Sequence, residues 1–109
     1  MDERIPQGGF PARVDDRGRL KLPTDFRRVI ELHPEWFLTQ GKDEKSLDLK
    51  TTGDNTQMVA VDPIGRMLIP PYLSAGFKSK SVHVFWQRDH FVVMTMEEFE
   101  KMIHAGEVT

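Results

Sequence analysis

One segment of this chain occurs twice at a fixed interval. Residues 14–23 read V-D-D-R-G-R-L-K-L-P, and residues 61–70 read V-D-P-I-G-R-M-L-I-P. Val14, Asp15, Gly18, Arg19 and Pro23 return as Val61, Asp62, Gly65, Arg66 and Pro70, each displaced by 47 positions. Leu20 and Leu22 become Met67 and Ile69, which keeps both positions apolar. An ungapped repeat of this kind marks one supersecondary unit used twice. The chain is therefore expected to fold with internal pseudo-symmetry.

Each copy opens with a hairpin signal. In the first, Phe10 to Val14 is extended, D-D-R-G is a turn, and R-L-K-L is the return strand. Alternation sends Leu20 and Leu22 inward and Arg19 and Lys21 outward. Gly18 supplies the positive φ the turn needs. Pro23 stops the strand, and Thr24 is the expected N-cap of a helix over about residues 25–32. Phe26, Val29, Ile30 and Leu32 form its apolar stripe, and Pro34 ends it. Two strands follow, W-F-L-T and S-L-D-L-K, joined by a polar turn containing Asp43 and Glu44.

The second copy runs in parallel. Met58 to Val61 and R-M-L-I are strands around D-P-I-G, Pro70-Pro71 leads into a one-turn helix, and S-V-H-V-F-W-Q and F-V-V-M-T are strands. The unit is β-β-α-β-β, with residues 51–56 as a short joint. Val82, Val84 and Trp86 share one strand face and His83 and Phe85 the other, so that strand is expected to be covered on both sides, by the chain itself or in part by another subunit. A final helix starts from the capping-box pair Thr95 and Glu98, carries Phe99, Met102 and Ile103 as its apolar stripe, and stops at Gly106. Residues 1–109 are read as a single domain, with repeat one at about 10–51 and repeat two at about 57–104 including the C-terminal helix.

Composition removes several function classes. There is no cysteine, so disulfides and thiolate metal sites are out. The acidic opening M-D-E-R-I-P-Q-G-G-F has no apolar stretch of the kind a secretory leader carries. No apolar run reaches the roughly 18–20 residues that span a bilayer. A cytoplasmic protein without membrane contact is expected. No nucleophile elbow, zinc-protease, phosphate-loop or dinucleotide motif is present. His33, His83, His90 and His104 lack ligand spacing and read as isolated packing or surface residues. No enzyme, cofactor, metal or small-molecule substrate is expected.

The formal net charge is −2, which by itself argues against a polyanionic partner. Its distribution argues the other way. Residues 13–28 hold Arg13, Arg17, Arg19, Lys21, Arg27 and Arg28 against Asp15, Asp16 and Asp25. Exposed charges beyond about 8–10 Å are largely screened at physiological salt, so a local patch can act independently of the whole. Asp15 with Arg19, and Asp62 with Arg66, repeat as D-x-x-x-R around a glycine turn. Such a pair closes a turn, and it also orients an arginine fork toward phosphate or a guanine edge. A two-stranded ribbon fits the major groove, and arginine suits bidentate recognition.

The doubled D-x-x-G-R-φ-x-φ-P, with φ apolar, resembles the swapped-hairpin motif of the AbrB/MazE/SpoVT family, and its tandem form resembles the MraZ-like branch. The resemblance covers most of residues 11–103. It implies a mainly β fold with short helices, a pseudo-symmetric swapped-hairpin double-split β-barrel of two ββαββ repeats. It also implies a homo-oligomer, ring-forming in the family, that binds double-stranded promoter DNA and is nucleoid-associated. Carried over residue by residue, it places DNA contacts at Asp15 and Arg19 and at Asp62 and Arg66. With the basic cluster, the expected DNA-binding set is Arg13, Asp15, Arg17, Arg19, Lys21, Asp62 and Arg66. Two departures stand out. Residues 51–56 are too short for the helical segment that usually follows the first repeat. Pro63-Ile64 stands where a polar or basic pair is expected, so the first copy should supply most phosphate contacts and the second be more structural.

The leading expectation is thus a sequence-specific DNA-binding transcriptional regulator of the MraZ/AbrB type. An antitoxin-like DNA-binding protein is less favoured, because such proteins carry long disordered tails and only about five residues are expected after the last helix. A non-DNA oligomeric scaffold is the remaining alternative, favoured by the acidic balance and the weaker second motif.

Overall fold

The computed structural model describes residues 8–33, 35–41, 46–51 and 57–108, with only the backbone of Gln57 and of residues 105–108. The expected stop at Pro34, the pair Asp43 and Glu44, and the joint beyond Thr51 lie outside these residues. The chain runs through β1 (Gly9–Arg13), β2 (Arg19–Lys21), a 3-10 turn (Thr24–Phe26), α1 (Arg27–Leu32), β3 (Glu35–Gln40) and β4 (Ser46–Lys50). It continues through β5 (Gln57–Ala60), β6 (Arg66–Leu68), α2 (Pro71–Ser74), β7 (Ser81–Gln87), β8 (His90–Thr95) and α3 (Met96–Val108). The order β-β-α-β-β occurs twice, and the fold is mainly β.

The pairing departs from the expected hairpins. β1 and β2 share only the isolated bridge Val14 to Leu20. β1 instead pairs with β7, and β2 pairs with β6. β5 likewise pairs with β3 of the first half. Alternation in a short strand fixes which face is buried, but not which strand lies beside it. Here each half gives its first two strands to the other.

The result is a six-stranded antiparallel sheet in the order β1-β7-β8-β4-β3-β5 and a two-stranded sheet of β2 and β6. Leu20 lies opposite Met67, its own counterpart in the repeat. A pseudo-two-fold therefore passes between them. It recurs in the larger sheet, where β4 pairs with β8 across Asp48 and Val92.

The core lies between these layers. Val14, Leu20, Leu22, Phe26, Trp36, Leu38, Leu49, Ile69, Val82, Val84 and Phe91 are all fully buried. Phe26 is central to an aromatic chain. Its ring meets Phe10 edge-on at 5.3 Å and Phe91 at 4.7 Å, and Phe91 meets Trp36 at 5.4 Å and Trp86 at 4.9 Å. β1, the helical turn of the first half and the last strand of the second are joined by these contacts.

The helices correct several expectations. Thr24 caps nothing. It begins a 3-10 turn that the backbone closes itself, with the Phe26 N–H donating to the Pro23 carbonyl at 3.0 Å. Leu32 is 62% exposed although Val29 and Ile30 are buried. It is the last residue of α1, about 200° around the helix from Ile30 although only about 60° from Val29. α3 runs through Gly106 to Val108. The Glu98 N–H donates to Thr95 Oγ1 at 3.2 Å, the N-terminal half of the expected capping box. Phe99 stacks on His83 at 3.6 Å, so the second face of β7 is covered by the chain's own helix. Met102 and Ile103, expected in the same stripe, stay exposed.

Gly9 has a steric reason to be glycine. A Cβ there would overlap the His83 imidazole, which is stacked on Phe99. Burial pushes His83 below the ordinary histidine value.

Candidate nucleic-acid interface

The two repeated turns have the same construction. In the first, the Arg17 and Arg19 N–H groups donate to Asp15 Oδ1 at 2.9 and 2.8 Å, and Arg19 Nε donates to Oδ2 at 2.7 Å. In the second, Ile64 and Arg66 N–H donate to Asp62 Oδ1, both at 2.9 Å, and Arg66 Nε donates to Oδ2 at 3.2 Å. The Gly18 and Gly65 N–H groups close the turns onto the Asp15 and Asp62 carbonyls. Gly18 and Gly65 have φ of +84° and +96°, the left-handed region that disfavours any side chain.

Each turn is anchored by the opposite half. The Leu22 N–H donates to the Gly65 carbonyl at 2.8 Å, and the Ile69 N–H donates to the Gly18 carbonyl at 2.9 Å. Gly18 lies against Ser74 of α2, and Gly65 lies against Ile30 of α1. The first turn has a further latch. The Ser79 N–H donates to the Asp15 carbonyl at 3.1 Å, and an Arg13 Nη donates to the Ser79 carbonyl at 3.2 Å.

Each aspartate side chain thus accepts three hydrogen bonds. The backbone N–H of Arg19 does most to hold Asp15 below the ordinary aspartate pKa. Desolvation opposes it, and the Arg19 side chain and Arg17 N–H add to it. Asp62 is lowered in the same way, first by the Arg66 N–H. A carboxylate lowered in the folded state contributes stability that is complete above its ordinary value and is lost as pH falls through the depressed one. Denaturant midpoints should therefore fall on acidification below about 3.8, the ordinary aspartate value. The double variant Asp15→Asn, Asp62→Asn should show a shallower decline. An unchanged slope would remove this role from the pair.

Arginine meets its aspartate through Nε in both turns, with side chains 59% and 62% exposed. Among the described residues the terminal nitrogens of Arg19 and Arg66 make no further bond, so both forks face outward, oriented and unspent. This is the geometry that suits bidentate contact with an anion or a base edge.

Arg13, Asp15, Arg19, Lys21, Asp62 and Arg66 line one open cleft of about 620 Å³ over the β2–β6 ribbon. Arg17 stands exposed at the tip of the first turn, outside the cleft lining. Lys21 lies directly opposite Arg66. Like charges in that position repel, and a bound anion would relieve the repulsion.

Other residues were not anticipated here. Ala60, Val61 and Leu68 also line the cleft. By the 47-residue offset, Ala60 replaces Arg13, Ile64 replaces Arg17 and Leu68 replaces Lys21. Comparing the copies position by position would have exposed this asymmetry. Among the described residues, no group of His, Asp and Glu is arranged to hold a metal ion. No described helix is long and apolar enough to cross a membrane.

The chain is similar to two proteins named transcriptional regulator MraZ. The one from Acidobacterium capsulatum is 29% identical over 132 aligned positions, covering 94% of this chain and 90% of the relative. The one from Koribacter versatilis is 29% identical over 133 positions, with the same two coverages. Both alignments are longer than the chain itself, so the relatives carry residues that this chain lacks. No family model matches the chain.

Proposed function

The chain is MraZ-like, and on that premise we propose that it is a sequence-specific DNA-binding transcriptional regulator acting as a homo-oligomer. The carrying observation is the pair of equivalent Asp–Arg turns, exchanged between the halves and opening onto one cleft. Arg19 and Arg66 are the forks that meet bases or phosphate. Asp15 and Asp62 orient them. Arg13, Arg17 and Lys21 supply phosphate contacts from the first copy. Nothing in this role calls for catalysis, a cofactor or a small-molecule substrate, and the protein works in the cytoplasm, at the nucleoid.

On this reading residues 1–109 form one domain, repeat one at about 10–51 and repeat two at about 57–104. The two sheets are the layers of the swapped-hairpin double-split barrel. Several chains presenting their clefts together convert weak contacts into tight binding.

The test is the double variant Arg17→Ala, Arg19→Ala. It is titrated with the duplex upstream of the protein's own coding sequence, alongside a measurement of mass in solution. A regulator loses at least about tenfold in affinity, since arginine contacts to DNA contribute about 1–3 kcal/mol each. Its mass should not change. A scaffold has no DNA affinity to lose, and that outcome would overturn the reading.

A further inference from the structure

We propose that Ile64 and Leu68 of the second copy contact thymine C5-methyl groups in the major groove, so that the two halves of the ribbon divide the work of recognition. This inference rests on the DNA-binding reading above. It starts from a contrast between equivalent positions. The outer face of the β2–β6 ribbon carries Arg19, Lys21, Arg66 and Leu68. The first three are cations. Leu68 is 55% exposed, stands opposite Arg19 and lines the cleft.

Ile64 is 56% exposed at the tip of the second turn, where Arg17 stands in the first. Its N–H is bonded to Asp62 Oδ1 at 2.9 Å, so the turn that orients Arg66 also fixes the position of Ile64. Two large apolar side chains therefore stand two residues before and after an oriented arginine, Leu68 in the cleft lining and Ile64 exposed at the turn tip beside it. Strand alternation offers Leu68 no inward position, because Met67 and Ile69 already occupy the buried face.

In the major groove the apolar group a base edge presents is the thymine methyl. An arginine fork between two apolar side chains suits a guanine with thymines beside it. The cationic half, with Arg13, Arg17 and Lys21, then carries the backbone. The element read by one chain has a polarity that the near-symmetric backbone alone would not impose.

The experiment uses the full chain and a duplex selected by it from a random-sequence pool. Each thymine of that duplex is replaced in turn by deoxyuridine, which removes only the methyl group. Wild type should lose about three- to fourfold in affinity at one or two clustered positions, the worth of one buried methyl-sized group. Ile64→Ser and Leu68→Ser should bind thymine and deoxyuridine duplexes equally at those positions while keeping the salt dependence of wild type.

Uniform tolerance of deoxyuridine by wild type overturns the inference and leaves DNA binding standing. So does discrimination that survives in both variants, or variants that change only the oligomer mass, which would make the patch a contact between copies. Failure to select any duplex overturns the DNA reading itself, and this inference with it.

Discussion

Residues 1–51 produced alone should not fold as a monomer. Among the described residues β1 finds its ladder only in β7, and β2 only in β6. Without the second half, the β3–β4 hairpin and a six-residue α1 are left. A two-stranded hairpin is marginal in water even with an apolar face. Leu20, Leu22 and Phe26 would lose the layer that buries them. The similarity of the two motifs leaves one escape, in which two copies of the fragment exchange strands with each other. The expected result is an unfolded chain at low concentration, or a dimer whose melting temperature rises with concentration. Circular dichroism melts over a wide concentration range decide the matter. A cooperative, concentration-independent transition in a monomeric fragment would show that strand exchange is not what holds the halves together.

Phe26→Ala should cost about 3–5 kcal/mol, the usual range for truncating a buried aromatic. Phe26 is fully buried and meets both Phe10 and Phe91 edge-on. Truncation opens a void where β1, the helical turn and β8 converge. Domains of this size have only about 5–15 kcal/mol in total, so the variant should sit near the edge of folding. Urea unfolding should give a lower midpoint with an unchanged slope. Phe26→Leu, which keeps most of the volume, should recover much of the loss. A loss below about 1 kcal/mol for alanine would mean that the site collapses without penalty and that the aromatic chain is not central to the core.

Much of this arrangement is written in local pattern. Gly18 and Gly65 mark the positive-φ turns. The alternation of Arg19, Leu20 and Lys21 gives the exposed and buried faces. The D-x-x-x-R spacing places each arginine beside its aspartate, because the turn brings the fifth residue back to the first. Strand partners were not legible. β1 beside β7 and β5 beside β3 depend on contacts between distant segments, which no short pattern encodes. The part of the β7 cover that comes from the chain itself was not legible for the same reason, since Phe99 reaches His83 only once α3 is docked. The stripe places Leu32 with Val29 and Ile30, but as the last residue of α1 it stays exposed. Gly106 looked like a stop, but a helix tolerates a glycine near its end at a cost of about 1 kcal/mol. The asymmetry of the cleft was half visible. Pro63-Ile64 departs from the motif in the sequence and Leu68 takes the outward position of Lys21, whereas its place opposite Arg19 needed the β2–β6 ladder.

On the proposed function, the β2–β6 ribbon presents its cations to a nucleic-acid duplex. The most direct measurement is the affinity of the intact protein for its upstream duplex across a series of salt concentrations. With about four cations engaged per chain, log K should fall against log salt with a slope of roughly −3 to −4. A slope near zero, or no binding at the lowest salt, would contradict the account.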